Sequence, residues 1–345
     1  MTTALRPAAP PLDLLPTAVR RRLLLPTTVA FAGLAVLFAG LSSTGTTVPL
    51  GVQAIPFAVS VLLFGLPHGA LDHLVPARDD PGLDPRRAAA AVVALYGVLG
   101  GATALLWLVA PAAGFALFIA VTWYHWGQGD LWIERARTAS AIGRADAVLT
   151  LLLRGALPML MPLVARPADY ALVLSLTTRA AGGAVSGEGL LAPPWRIAAG
   201  AVVAALLVAH VAVRAARRAP LAEDLAETVV LLGFFAAVPP VLAVGLYFTF
   251  WHSVRHIVRL ELLDPAARRE LADGRLLGPF ARFLRDAWPV TLCAVALLLA
   301  LALVARDAGL GTYLLLIAAL TTPHAVVVTW MDRRTARRLR AARPA

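Results

Sequence analysis

Long apolar runs, separated by short polar and basic segments, recur from near the N-terminus of the chain to near its C-terminus. Each run is about 20 residues long, the length that a helix needs to cross the hydrocarbon core of a bilayer. The pattern predicts an all-α fold, a polytopic integral membrane helical bundle with about ten transmembrane helices. Their expected bounds are 23–42, 51–74, 88–110, 113–133, 146–165, 195–213, 221–238, 240–259, 287–305 and 309–330.

Arginine collects at both ends of the chain and in alternate loops, where Arg137 and Arg214 are examples. Cytoplasmic loops of membrane proteins are enriched in basic residues. We therefore predict a multi-pass protein of the cell inner (plasma) membrane with both termini in the cytoplasm. The expected parts are a cytoplasmic N-terminal segment at 1–22, a single transmembrane helical domain at 23–330 and a basic cytoplasmic tail at 331–345. Between Arg166 and Trp195 a short apolar run is expected to lie in the membrane interface.

Composition supports a chain embedded in lipid. Apolar residues make up 59% of the 345 positions and charged residues only 15%, with a mean hydropathy of +0.76. The formal net charge of +11 follows the topology pattern, so anionic lipid of the bilayer is the expected polyanionic partner and nucleic acid is not. Cys293 is the single cysteine, which excludes a disulfide framework and a metal site with several cysteines.

Five of the seven histidines fall in otherwise apolar predicted helices: His68, His125, His252, His256 and His324. Ionisable groups inside a membrane are expensive and usually face the interior of a bundle. The four predicted helices that carry them all run in the same direction, and each brings its histidine to the cytoplasmic half. The pattern favours convergence at one depth, while the plain alternative is an interhelical hydrogen bond for each histidine.

His252 and His256 are four residues apart, so both imidazoles lie on one face of a helix, within reach of one metal ion. Neutral imidazoles without cysteine suit iron, copper or zinc. No carboxylate is evident at the depth of the histidines, so an all-histidine site is favoured over two histidines and one carboxylate.

Several polar residues are expected around this site. Asp72 is a candidate to orient an imidazole, and Asp130 is expected either to orient an imidazole or to be a solvated carboxylate in the interface. His73 points away from His68 and is expected near the cytoplasmic surface, either beside the site or in the interface. His324, at a proline kink, is expected to be a fifth contact or to face the substrate. His210 lies beside a basic loop and is expected at headgroup level, outside the site.

Four sequence motifs resemble those of a known family: GLPHGALDH at 65–73, WYHWGQGD at 123–130, YFTFWHSVRH at 247–256 and TPH at 322–324. They are similar, in the same order, to the signatures of the Brp/Blh membrane carotenoid dioxygenases. The resemblance implies an enzyme with Fe²⁺ that splits the central 15,15′ double bond of β-carotene with O₂ into two all-trans-retinal molecules. It also implies a carotenoid substrate and a functional link to a microbial rhodopsin.

The resemblance implies roles for individual residues as well. Four histidines match the iron ligands of the family, namely His68, His125, His252 and His256, which makes the domain at 23–330 the catalytic domain. His73 and His324 match further family histidines. Aromatic side chains are expected near the polyene, with helix packing as the alternative role: Trp123, Tyr124, Trp126, Tyr247, Phe248 and Trp251.

Three other readings stay open at this point. A di-iron membrane desaturase or hydroxylase also uses histidines four residues apart, but it needs more histidines than this chain has at one depth. Paired carboxylates or interrupted helices at the membrane midplane would point to a transporter; Pro67 and Pro323 hint at breaks, but midplane carboxylates are missing. A membrane protein that only binds or delivers carotenoid or retinal would not need four histidines, and metal content separates it from the dioxygenase.

Overall fold

The structure is a computed structural model that describes residues 15–80, 82–138, 142–185, 187–305 and 309–341. Helices are the regular elements of this part of the chain, and it contains no strand. Those of five or more residues are α1 (Thr17–Ser43), α2 (Ile55–Leu62), α3 (Val75–Asp79), α4 (Pro85–Val109), α5 (Pro111–Thr138), α6 (Arg144–Ala165), α7 (Pro167–Ala180), α8 (Pro193–Ala216), α9 (Ala222–Ala237), α10 (Pro240–Leu246, Tyr247–His252 and Ser253–Glu261 in direct succession), α11 (Pro265–Ala272), α12 (Leu277–Ala305) and α13 (Leu310–Ala341).

Proline begins many of these helices, among them α4, α5, α7, α8 and α10. At the first helical position the missing N–H of proline has no intrahelical partner to lose, and its fixed φ suits the helix. The starts of these helices are therefore encoded locally in the sequence.

Six helices of the described residues are long and apolar enough to cross a membrane: α1, α4, α6, α8, α12 and α13. The predicted spans at 113–133, 221–238 and 240–259 are also helical, as α5, α9 and α10. However, α5 carries polar residues along its second half, and α9 has only 16 residues. The chain is thus an all-helical, multi-pass bundle, and the predicted count of about ten spans is not confirmed.

The prediction of one continuous helix over 51–74 is wrong. Helix α2 ends at Leu62, and the chain then forms turns and a short 3₁₀ helix at Pro67–Gly69 before α3 begins. Pro67 has no N–H for a helical hydrogen bond. Gly65 packs so closely that a Cβ added there would lie 2.4 Å from Cβ of Ser60. The break places His68 on a non-helical segment inside the bundle.

Helix α10 forms the centre of the bundle. Every residue from Trp251 to Glu261 is buried. Helices α6 and α13 are inner helices, because 61% and 50% of the 18-residue apolar stretch of each is buried. In the four remaining candidate spans only 17% of that stretch is buried, namely in α1, α4, α8 and α12. The first group therefore carries the core, and the second group forms the outer surface.

Helices α5 and α6 approach each other most closely where glycines face the partner backbone. A Cβ on Gly127 would lie 2.0 Å from the carbonyl oxygen of Leu151, and one on Gly155 would lie 2.0 Å from that of Trp123. Neither position has room for a side chain, so these glycines set the distance between the helix that carries His125 and its neighbour.

We expect Gly155→Ala to destabilise the protein, because the methyl group would push α5 and α6 apart at a cost of about 1–3 kcal/mol. The matched control is Gly101→Ala in α4, where an added Cβ meets no atom within 4 Å. That change should be neutral or slightly stabilising, since alanine favours the helix over glycine. Thermal unfolding in detergent measures both variants, and equal melting temperatures would contradict the tight α5–α6 contact.

Candidate metal centre

Five imidazoles meet in the interior of the bundle. They come from the break after α2 (His68), from α5 (His125), from α10 (His252 and His256) and from α13 (His324). The ring centroids of neighbouring pairs lie between 4.6 and 6.4 Å apart. Each side chain is buried, with at most 6% exposed. The structure thus brings together the four predicted ligands, and His324 joins them as a fifth member of the cluster.

A widened turn in α10 presents two of these rings. Residues Tyr247–His252 form a π-helical segment, and Ser253–Glu261 continue as an α-helix. Such π-turns inside α-helices occur frequently at functional sites. His252 leaves the widened turn toward His125, while His256, one turn later, packs against His68 and His324.

Hydrogen bonds to the outer ring nitrogens orient two of the imidazoles. Nδ1 of His68 donates to the carbonyl oxygen of Gly65 and lies 3.2 Å from Oγ of Ser253. Nδ1 of His324 lies 2.8 Å from Oδ2 of Asp72. Because the nitrogen that carries the proton is set by the hydrogen bond it makes, Nε2 of each ring is left as a free acceptor.

The inner nitrogens fit a metal ion. Nε2 of His256 and Nε2 of His324 are buried and have no hydrogen-bond partner among the described residues, although buried polar atoms normally have one. Nε2 of His125 lies 3.0 Å from Nε2 of His252, close to the separation of neighbouring nitrogens that bind one ion at about 2.1 Å. Imidazole nitrogens without a thiolate suit iron, copper or zinc.

A carboxylate does lie at the cluster, contrary to the sequence prediction. Asp72 is 2% exposed, and it sits with His256 and His324 in a group whose ligand atoms all lie within 4.8 Å of one another. Its Oδ2 accepts a hydrogen bond of 2.7 Å from the hydroxyl of Tyr96 as well as one from His324. Tyr96 escaped the sequence analysis, where a lone hydroxyl in an apolar predicted helix was the only available signal.

Asp130 does not orient an imidazole. Its carboxylate accepts hydrogen bonds from Nε1 of Trp251 at 3.1 Å and from the guanidinium of Arg255 at 3.2 Å. Arg255 also bonds Glu227 at 2.9 Å. Since Arg255 lies between His252 and His256 in α10, these bonds hold the helix so that both histidines face the cluster.

Asp130 and Arg255 belong to a larger buried ion-pair network. Two arginines that the sequence analysis assigned to cytoplasmic loops are members: Arg214 bonds Glu134 at 2.6 Å, and Arg137 bonds Glu227 at 2.7 Å. His210 is also a member, since its Nε2 lies 2.6 Å from Asp224 and its side chain is buried. His210 is therefore held inside the bundle by a carboxylate partner, and its level in the membrane stays a prediction. A buried charge is tolerated in such a bundle because it is paired.

His73 lies apart from the cluster. Its Nδ1 bonds the carbonyl oxygen of Ala70 at 2.9 Å, and the side chain is half-buried.

An apolar cavity of about 560 Å³ reaches the cluster. His68, His125 and His324 line it, together with two of the predicted aromatics, Trp126 and Phe248.

The other four predicted aromatics lie elsewhere. The indole N–H of Trp123 donates to the carbonyl oxygen of Leu152, and the hydroxyl of Tyr124 contacts Thr329. Tyr247 and Trp251 stack on each other in the core. For these four the packing role is the observed one.

The sequence of the chain is similar to those of a known protein family. Residues 59–332 match the family described as β-carotene 15,15′-dioxygenase. The chain is 40% identical to the probable β-carotene 15,15′-dioxygenase Blh of Halobacterium salinarum over 338 residues, which cover 94% of this chain and 98% of the relative. It is 30% identical to the probable β-carotene 15,15′-dioxygenase Brp of the same species, covering 90% of this chain and 92% of that protein. No solved structure matches the chain.

We expect His256→Ala to lower the metal affinity of the purified protein at least about tenfold, because a ligand is lost from the cluster. Val254→Ala is the matched control, since it shortens a buried apolar side chain of the same helix and removes no imidazole. Elemental analysis after competition with a chelator measures the bound metal. Equal metal content in the two variants would rule out His256 as a ligand.

Proposed function

The chain belongs to the β-carotene 15,15′-dioxygenase family, and we propose that it cleaves the central 15,15′ double bond of β-carotene with O₂. The C15=C15′ bond breaks, and each carbon takes one oxygen atom, so that two molecules of all-trans-retinal form. The observation that carries the proposal is the meeting of five buried imidazoles with an apolar cavity. A water-soluble substrate would find few polar partners there.

We propose Fe²⁺ as the cofactor and assign its binding to His68, His125, His252 and His256, with His324 as an additional imidazole. When bound, the ion would activate dioxygen. The fit rests on Nε2 of His256 and of His324, which have no partner among the described residues, and on a ligand set without cysteine.

The residues of the chain would contribute positioning and exclusion of water. Trp126 and Phe248 lie nearly parallel, with an interplanar angle of 18° and centroids 6.2 Å apart. Their faces offer an apolar wall for a flat polyene beside His68 and His125. Holding one double bond near the cluster is the contribution of such a wall to rate and to the position of cleavage.

The proposed setting is the cell inner membrane, with both termini in the cytoplasm and the basic tail at 331–345 on that side. We retain the division into 1–22, a catalytic domain at 23–330 and the tail, although residues 1–14 and 342–345 lie outside the described part. The finer count of about ten crossings, with α5, α9 and α10 as further crossings inside the bundle, belongs to this proposal. Retinal released into the same bilayer would be available to a microbial rhodopsin.

A second reading draws on the grouping of the ligands. His68, His125 and His252 form one possible metal-binding group, and Asp72, His256 and His324 form another. Two ions would make the centre dinuclear and favour the desaturase or hydroxylase reading. One ion per chain supports the dioxygenase.

In cells that produce β-carotene, we expect retinal from the wild type and from Val254→Ala. His252→Ala should lower retinal more than about 100-fold, because loss of the metal removes several kcal/mol of transition-state stabilisation. Chromatography of cell extracts, normalised to protein in the membrane fraction, measures retinal. Carotene that persists unchanged with metal-loaded wild type would contradict the function and bring the carotenoid-binding reading forward.

We expect Asp72→Asn to weaken metal binding about 10- to 100-fold, since the outer partner of a ligand histidine tunes its orientation and basicity. Tyr96→Phe should have a smaller effect, because it removes one of two bonds to Asp72. Asp286→Asn is the control, as it weakens partly exposed ion pairs with Arg78 and Arg285 and removes no bond to an imidazole. Chelator competition measures affinity, and an affinity of Asp72→Asn equal to that of Asp286→Asn would exclude the orienting role.

A further inference from the structure

The wall of the apolar cavity is exposed on one side. Among the described residues that line it, the exposed ones all lie on α4 and α12: Val93, Gly97, Val290, Cys293 and Leu297. The lining residues contributed by α5, α6, α7, α10 and α13 are buried or half-buried. In the described part of the chain, the cavity therefore meets the outer surface between α4 and α12.

Helices α4 and α12 leave this opening because each packs mainly on other helices. Helix α4 packs on α13 and α5, and α12 packs on α13, whereas contacts between α4 and α12 are fewer. The lining residues at the opening include the small Gly97 and Ala294. A Cβ added to Gly97 would meet no atom of the described residues within 4 Å, so no described side chain fills the space beside this glycine.

The opening lies on the apolar parts of two candidate membrane spans. On α12 the exposed lining residues begin at Val290, beyond the charged Arg285 and Asp286, and on α4 they begin at Val93, beyond Arg86 and Arg87. A molecule that enters here comes from the acyl chains of the bilayer.

The opening is also close to the histidine cluster. Tyr96 lies between Val93 and Gly97 in α4, lines the cavity and donates its hydroxyl hydrogen bond to Asp72. A Cβ on Gly69 would contact both Nδ1 of His324, at 3.4 Å, and the hydroxyl of Tyr96, at 3.7 Å. The helix that forms one edge of the opening thus touches the carboxylate that holds a cluster imidazole.

We propose that the gap between α4 and α12 is a lateral portal through which an apolar polyene passes from the bilayer to the histidine cluster. The identity of the polyene as β-carotene rests on the proposed function, whereas the portal itself rests on the cavity and its exposed wall. Size and polarity limits follow: a polar carotenoid end group would have to cross a mouth lined by valine, leucine and glycine.

Two glycines of α4 offer a matched pair of blocking variants. Gly97 lines the portal, whereas Gly101, one turn further, is equally exposed and free of neighbours but does not line the cavity. With β-carotene supplied in liposomes, Gly97→Trp should lower kcat/KM about tenfold or more, which is a loss of access rather than of chemistry. Gly101→Trp should stay within about twofold of the wild type. Equal kcat/KM for the two variants, at equal metal content, would overturn the portal.

Labelling of Cys293 tests the portal without catalysis. β-Carotene should slow alkylation of this single cysteine, in detergent-solubilised protein, by an apolar maleimide. The control is Leu292→Cys in a Cys293→Ser background, an exposed neighbour that does not line the cavity, and its labelling should not change. Protection of Cys293 in a protein that makes no retinal would contradict the proposed function and support the portal. Equal labelling of Cys293 with and without carotene, in a protein that makes retinal, would contradict the portal and support the proposed function.

Discussion

Burial of α10 on all its faces is the constraint on which the rest of the structure depends. A helix in the centre of an apolar bundle must have every polar side chain paired, since an unpartnered polar or charged group there costs several kcal/mol. Arg255 meets this demand on one side through Asp130 and Glu227. On the other side His252 pairs with His125, while Nε2 of His256 has no partner among the described residues and belongs to a group that could bind a metal ion.

Local departures from regular helix bring the ligands together. The π-turn at Tyr247–His252 adjusts the direction of His252, and the break after α2 carries His68 into the bundle. Close glycine contacts then hold the elements at the required distance, as at Gly155 between α5 and α6. Each departure gives up some helical regularity at a place where surrounding packing determines the backbone, which is typical of functional sites.

The site combines a polar cluster with an apolar cavity, and the two impose different demands. The imidazoles need fixed orientations, which Asp72, Gly65 and Ser253 give to His324 and His68. The cavity needs only apolar walls and a route to the bilayer. An aromatic residue that lines it therefore cannot be distinguished, in the sequence, from one that packs between helices. This difference explains why the histidines were recognised together, while only Trp126 and Phe248 of six aromatics line the cavity.

The sequence by itself determined the helical class, the starts of most helices and the identity of the clustered histidines, because bilayer length, proline position and the rarity of imidazole in apolar runs are local signals. Only the tertiary structure decided the break within 51–74, the place of His324 beside Asp72, and the burial of Arg137, Arg214 and His210. The partners of these residues are distant in the chain: Asp72 and His324 are 252 positions apart. Loop arginines and buried arginines look alike in a sequence, since what separates them is whether a carboxylate from another helix reaches them.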